Sequence, residues 1–240
     1  MVGALVRLLC STAMARLFGL GTMKNNKRRT KLMWDWPVRI MHWSVVVLFF
    51  VLWWTAENEQ MDFHRYAGYG ILALLIWRVY WGFAGSTTAR FSHFVKSPAA
   101  TWQYAKHLSK PQSARSFGHN PLGAYSVILL LLLLSAQIVL GLFAIDVDGW
   151  EAGPLNAYVS FETGRWCATW HEYLFNLLLA WVVLHVLAIS FYFFVGKHNL
   201  LLPMIDGKTV IASSQTIQVA HKKHYLIVAI FVAVVLYFIV

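Results

Sequence analysis

Residues 170–195 read WHEYLFNLLLAWVVLHVLAISFYFFV, and this stretch decides the fold. From Tyr173 to Val195 it contains no Asp, Glu, Lys or Arg. An apolar run of about 18 or more residues marks a membrane-spanning helix. Backbone polar groups in lipid meet no water, so such a run closes its hydrogen bonds internally as a helix. The stretch also holds two histidines, His171 and His185, 14 residues apart. At 3.6 residues per turn their angular separation is about 1400°, roughly 40° short of four full turns, so both lie on one helix face. Their axial separation is about 21 Å.

Outward from this run lie four others: Ile40–Ala56, Tyr66–Ala84, Ala124–Ile145 and Tyr225–Val240. As helices the five are roughly 24–35 Å long, close to the hydrocarbon thickness of a bilayer. The chain is 59% hydrophobic and 12% charged, about half the charged fraction of a soluble domain. The predicted fold class is therefore all-α: an integral membrane four-helix bundle plus an additional C-terminal transmembrane helix. The segments divide as a cytoplasmic extension over 1–33, a transmembrane domain over 34–196, and a linker with the fifth helix over 197–240. Asp35-Trp36-Pro37 and Asn120-Pro121 pair a capping side chain with a proline, a helix-start pattern. Gly141, late in the third run, permits close helix packing.

Charge sets the orientation. Of the 20 Lys and Arg, 17 fall in segment 1–39 and the loops 85–123 and 196–224. The other two loops are acidic, with Glu57, Glu59 and Asp62 in one and Asp146, Asp148, Glu151 and Glu162 in the other. The positive-inside rule places the basic side in the cytoplasm, with the N-terminus inside and the C-terminus outside. The net charge of +10 is thus a topology signal, and nucleic-acid binding is not expected. Cys10 and Cys167 fall on opposite sides and cannot pair, and no C-x-x-C-H motif is present for covalent haem attachment. The N-terminal 22 residues read either as an amphipathic interfacial helix or as an extension before Met23, and no function is assigned to them.

Four of the ten histidines, His42, His64, His171 and His185, fall at membrane depth. Ionisable side chains there are costly and mark functional sites. Two groups ligated by His171 and His185 would stack across the bilayer, and each needs a second axial ligand at matching height. His42 is five residues past Pro37, roughly 7–8 Å into the first span. His185 lies about 9 Å from the same boundary for a core of about 30 Å. His64 opens the second span at the other surface, level with His171. The pairs His42–His185 and His64–His171 close independently on depth, as two haem b groups with bis-histidine ligation require. A single membrane histidine is equally well a hydrogen-bonding or proton-relay residue; four that pair by depth are not obtained so easily. A shared zinc ion is a poor alternative, because ligands about 21 Å apart on one helix cannot meet.

Haem propionates are anionic and need cations. Arg39, three residues before His42, and Arg78 could face the inner haem, while Arg65 and Arg165 could serve the outer one; each reads equally as a snorkelling arginine. His119 stands at the mouth of the third span and could replace His42 or contact a propionate. His93, His107, His198, His221 and His224 lie in basic loops and read mostly as solvated.

Laid out in order, these pieces resemble the bacterial cytochrome b561 family, which includes the cytochrome b subunits of Ni/Fe-hydrogenases. They are Trp36-Pro37-Val38-Arg39-Ile40-Met41-His42-Trp43, His64-Arg65-Tyr66-Ala67-Gly68-Tyr69, Arg78-Val79-Tyr80-Trp81-Gly82-Phe83, Gly118-His119-Asn120-Pro121-Leu122-Gly123, and Trp170-His171-Glu172 followed by His185. The resemblance spans about residues 34–196. It implies a four-helix bundle with two b haems in a bacterial inner membrane, exchanging electrons between a membrane quinone and a redox partner. The N-terminal extension and the fifth span depart from the pattern.

Three functions are carried forward. The first is a quinone-linked di-haem cytochrome of a respiratory chain, serving a periplasmic c-type cytochrome, another periplasmic protein or a small oxidant. The second is the membrane anchor of a hydrogenase or other multi-subunit oxidoreductase. The third is a cofactor-free transporter with a histidine relay. It predicts helices broken by Gly or Pro near the midplane, and none of the four main spans has an interior proline.

Overall fold

The computed structural model describes residues 29–106, 118–211 and 218–239. Four long helices form two antiparallel hairpins. Helix α1 (Trp36–Glu57) turns through Asn58–Gln60 into α2 (Met61–Ala84). A polar segment follows, with the short helices α3 (Phe91–Phe94) and α4 (Pro98–Lys106). Helix α5 (Pro121–Phe143) and the 34-residue α6 (Phe161–Phe194) make the second hairpin. Then come α7 (Leu201–Asp206) and α8 (Lys223–Ile239). The main packed pairs are α1 on α2, α5 on α6, α8 on α2 and α2 on α5.

The bundle is all-α and four of its helices are long and apolar enough to cross a membrane, as expected. The differences lie at the helix ends. Helix α6 begins at Phe161, twelve residues before its uncharged run, because Ser160 caps it by accepting from the Thr163 N–H at 3.2 Å. Apolarity marks where lipid begins, whereas helix ends are set by capping chemistry. Helix α2 likewise starts at Met61, five residues before its apolar run, with His64 in its first turn as expected. Helix α8 has 17 residues, about 25 Å in length, and is shorter than the four spans.

Beyond the predicted helices, strand β1 (Arg29–Leu32) pairs antiparallel with β2 (Lys208–Ile211), with Leu32 opposite Lys208 and Lys31 opposite Thr209. The pairing places β1 and β2 at the same end of the bundle, where most of the basic residues gather. The packed core lies here too, formed by Met33, Trp34, Val38, Trp81 and Ala89. Between the ends the spans leave much of their apolar surface exposed, as lipid-facing helices do.

Asp35 organises this end. It is 2% exposed; its Oδ1 accepts from the Val38 N–H at 3.3 Å, capping α1, and its Oδ2 accepts from the Trp81 indole N–H at 3.1 Å. One side chain thus joins the start of α1 to the end of α2. Gly207, in the left-handed region at φ +79°, ends α7 and accepts from the Met33 and Trp34 N–H groups at 2.7 and 3.2 Å. A Cβ there would lie 2.8 Å from the Trp34 carbonyl oxygen, so glycine is required.

Asp35→Ala removes the cap and leaves the fully buried Trp81 N–H unpaired. A loss of about 2–4 kcal/mol is expected. Asp35→Asn, which keeps an acceptor, should lose less than half of that. Thermal unfolding in detergent, followed by circular dichroism, measures both; equal losses would mean that carboxylate charge, not hydrogen bonding, governs the joint.

Candidate cofactor site

Helix α6 carries His171 and His185 on one unbroken helix, about 21 Å apart along its axis. The α1–α2 hairpin supplies the other two histidines: His42 near the start of α1 and His64 near the start of α2, at opposite ends of the bundle. Each therefore faces a different member of the α6 pair.

At the acidic end, the His64 and His171 rings lie with centroids 6.2 Å apart at an interplanar angle of 74°. Two imidazoles bound to opposite faces of one metal ion, at metal–nitrogen distances of about 2 Å, have centroids roughly 6–7 Å apart. Both rings are also oriented. His64 Nδ1 lies 3.0 Å from the Leu52 carbonyl oxygen, and His171 Nδ1 lies 2.9 Å from that of Gln137. A carbonyl only accepts, so each Nδ1 carries the proton and each Nε2 lone pair is left available. Metal-ligating histidines are prepared in this way.

The shell around this pair is built with care for space. Thr55, 1% exposed, donates to the Val51 and Leu52 carbonyls at 2.8 and 3.0 Å and stands 3.3 Å from His64 Nδ1. A Cβ on Gly141 would come within 2.8 Å of His171 Cε1, so glycine lets the ring lie against α5. A Cβ on Gly68, one turn beyond His64, would meet nothing within 4 Å, so the space there is open. Neither Thr55 nor Gln137 was singled out from sequence. A Thr and a Gln inside otherwise apolar runs were the only signal.

At the basic end, His42 lies in the second turn of α1. His42 Nδ1 is buried and makes no hydrogen bond among the described residues. His119 joins this neighbourhood, half-buried between the rings of Trp34 and Phe94, with centroids 4.7 Å away in each case. Burial, then the charges of Arg78, His185 and His42, push its pKa down to about 3, so its imidazole is neutral near pH 7.

Arg78 is 7% exposed. Its Nη1 makes one long contact of 3.5 Å to the Ala89 carbonyl, and its guanidinium lies 5.1 Å from the Phe91 ring centroid. No carboxylate lies at ion-pair distance from it among the described residues. A buried cation without an anion is costly, and an anionic haem propionate would relieve it.

The other three candidate arginines each have a partner within the chain. Arg39 donates to the Ile205 carbonyl at 2.5 Å, capping the C-terminus of α7. Arg65 is bound to both Asp62 and Glu151. The acidic loops bring carboxylates to Arg65, so it does not stand free for a propionate. Arg165 donates to the Ile145 carbonyl at 2.7 Å. Among the loop histidines, His224 is not solvated as expected: its Nδ1 pairs with the Tyr80 hydroxyl at 2.8 Å, docking α8 on α2. His107 lies outside the described residues.

No cluster of three or more His, Cys, Asp or Glu able to hold a metal ion is present among the described residues. Paired histidines suit instead a metal whose remaining positions are filled by a macrocycle. Fold and site together define a membrane b-type cytochrome. The chain belongs to the prokaryotic cytochrome b561 family, whose match covers residues 33–207. Helix α8 lies beyond that match. Two curated relatives, each described as a probable Ni/Fe-hydrogenase B-type cytochrome subunit, come from Azotobacter chroococcum mcd 1 and Azotobacter vinelandii. Each is 25% identical over 222 residues, covering 79% of this chain and 92% of the relative. No solved structure gives a significant match.

Gly141→Ala drives a methyl against the His171 ring and should loosen its bond to Gln137. The expected result is about a tenfold fall in haem affinity. Gly70→Ala, whose Cβ meets only a movable Leu48 methyl at 3.1 Å, is the packing control and should retain normal haem. Haem per chain after extended dilution in detergent reads the difference.

Proposed function

We propose that this protein binds two haem b groups, one between His64 and His171 and one between His42 and His185, and carries electrons across the bilayer. The observation that carries the proposal is the acidic-end pair: two rings at the spacing of a shared metal, each with its Nδ1 proton held by a backbone carbonyl. Bound haem supplies one-electron chemistry, its iron alternating between ferrous and ferric states. The chain's contribution is to fix ring orientation, exclude water and balance charge. His64 and His171 are held as acceptor-side ligands by Leu52 and Gln137. Arg78 supplies buried positive charge at the basic-end haem, with neutral His119 beside it as a hydrogen-bonding group for a propionate. Residues 34–196 form the haem domain, and α8 is docked on α2 through His224 and Tyr80.

In this reading electrons pass between a membrane quinone and a redox partner at the acidic end. The excess of basic residues at the other end supports a reading with that end, and the N-terminus, on the cytoplasmic side of a bacterial inner membrane. A second reading is favoured by the names of the Azotobacter relatives: the chain would be the membrane anchor of a hydrogenase or other multi-subunit oxidoreductase. Purification of the tagged chain in mild detergent distinguishes the two. A stoichiometric metalloenzyme subunit favours the anchor, and a chain isolated alone but reducible by quinol favours the free carrier.

A pyridine haemochrome assay on the purified protein should give two non-covalent b haems per chain with low-spin spectra. His64→Ala and His171→Ala should each lose the same haem, while His42→Ala and His185→Ala lose the other. One haem in the unmodified protein, or all four variants losing the same spectral component, would overturn the two-pair assignment.

A further inference from the structure

The hairpin at the acidic end between α5 and α6 is built as a rigid projection. Its base is clamped by backbone bonds: Asp146 N–H to the Glu151 carbonyl at 2.9 Å, Gly153 N–H to that of Ala144 at 2.8 Å, and Leu155 N–H to that of Leu142 at 2.9 Å. Asn156 Nδ2 adds a bond to the Phe143 carbonyl at 2.9 Å. Gly153 packs so tightly on the end of α5 that a Cβ would fall 2.2 Å from the Gly141 carbonyl oxygen, which is backbone and cannot yield. Arg65, the residue after His64, grips Glu151 from α2. The hairpin is therefore locked in position relative to the His64–His171 pair.

What this frame holds out is unusual for a water-facing turn. Gly149 turns the chain at φ +79°, and Val147 and Trp150 stand 71% and 87% exposed. Asp148 is exposed between them in sequence, and Glu151, bound to Arg65, follows Trp150. Glu57, Glu59 and Glu162 add negative charge to the acidic loops, and both arginines there, Arg65 and Arg165, are already engaged. An exposed indole flanked in sequence by acidic residues has the form of an interface anchor with a polar rim. Anionic lipid headgroups would be repelled by the same carboxylates.

We infer that the 146–151 hairpin is the docking point for a soluble electron-carrier protein that presents a basic patch around an apolar recess, with Trp150 as its anchor. Charge complementarity brings the partner in, and the rigid frame delivers it beside the acidic-end histidine pair. The electron-transfer consequence rests on the haem reading above; the docking itself does not.

The test uses the full chain in nanodiscs of zwitterionic lipid, with lysine-rich mitochondrial cytochrome c as a cationic probe and its succinylated form as an anionic one. Binding is followed by interferometry, and electron transfer from the reduced membrane protein by stopped flow. The native probe should bind at least about tenfold more tightly than the succinylated one at low salt, and lose that advantage as salt rises. Asp148→Lys and Trp150→Ala should each weaken it about fivefold or more, whereas Glu162→Lys, an equal charge change away from the hairpin, should stay within about twofold. Equal effects of Asp148→Lys and Glu162→Lys would reduce the attraction to general charge and overturn the assignment. Trp150→Cys should react with an impermeant maleimide equally in detergent and in nanodiscs. Protection by the bilayer would place this side chain in the headgroups and sink the proposal. If the haem reading fails, the redox signal is absent while the binding contrast persists; if the docking inference fails, haem bands remain and the contrast does not.

Discussion

The unbroken helical geometry of α6 is what the remaining structure answers to. An α-helix of 34 residues without an interior proline has no means of bringing two of its residues together, so His171 and His185 stand on one face about 21 Å apart. The other two histidines at depth stand on the α1–α2 hairpin: the three-residue turn from Asn58 to Gln60 sets His64 in the first turn of α2, while Asp35 sets the start of α1 and so the height of His42. Helix α5 carries none of the four histidines. It offers a bare Gly141 surface and the Gln137 carbonyl, and so decides which way His171 faces.

The two ends of the bundle are held by different means. The basic end has a packed aromatic core with Asp35 and Trp81 at its joint, and α8 is added to it through Tyr80 and His224. The acidic end has little core and depends on backbone bonding, close glycine packing and the Arg65 clasp. Hydrophobic packing can be concentrated at one end because lipid, not protein, covers most of the apolar surface between them.

The long helices and the nearness of His64 to His171 were legible in the sequence because each rests on a period or a count that lipid and helix geometry impose. The His64–His171 partnership followed from depth alone, and their 6.2 Å separation agrees with it. The boundaries were not legible to the same degree: α6 runs twelve residues past its apolar stretch on the strength of Ser160. The arginines were read least well. Position along a helix says which cations are near a ligand, but not that Ile205 will claim Arg39 or that Asp62 and Glu151 will claim Arg65. Thr55 and Gln137 were missed for a related reason: their importance lies in contacts across helices, and a single chain of letters carries no trace of those.

The strand pair β1–β2 has a bearing on how the protein is made. Leu32 finds its partner Lys208 only after all four long helices have been synthesised, a wait of about 10–35 s at ordinary translation rates. Pairing also requires β1 and β2 to lie on the same side of the membrane, which the four long helices between them satisfy by making an even number of crossings. A chain with one of those helices left out of the bilayer would place β2 across the membrane from β1, and the two-stranded sheet could not form.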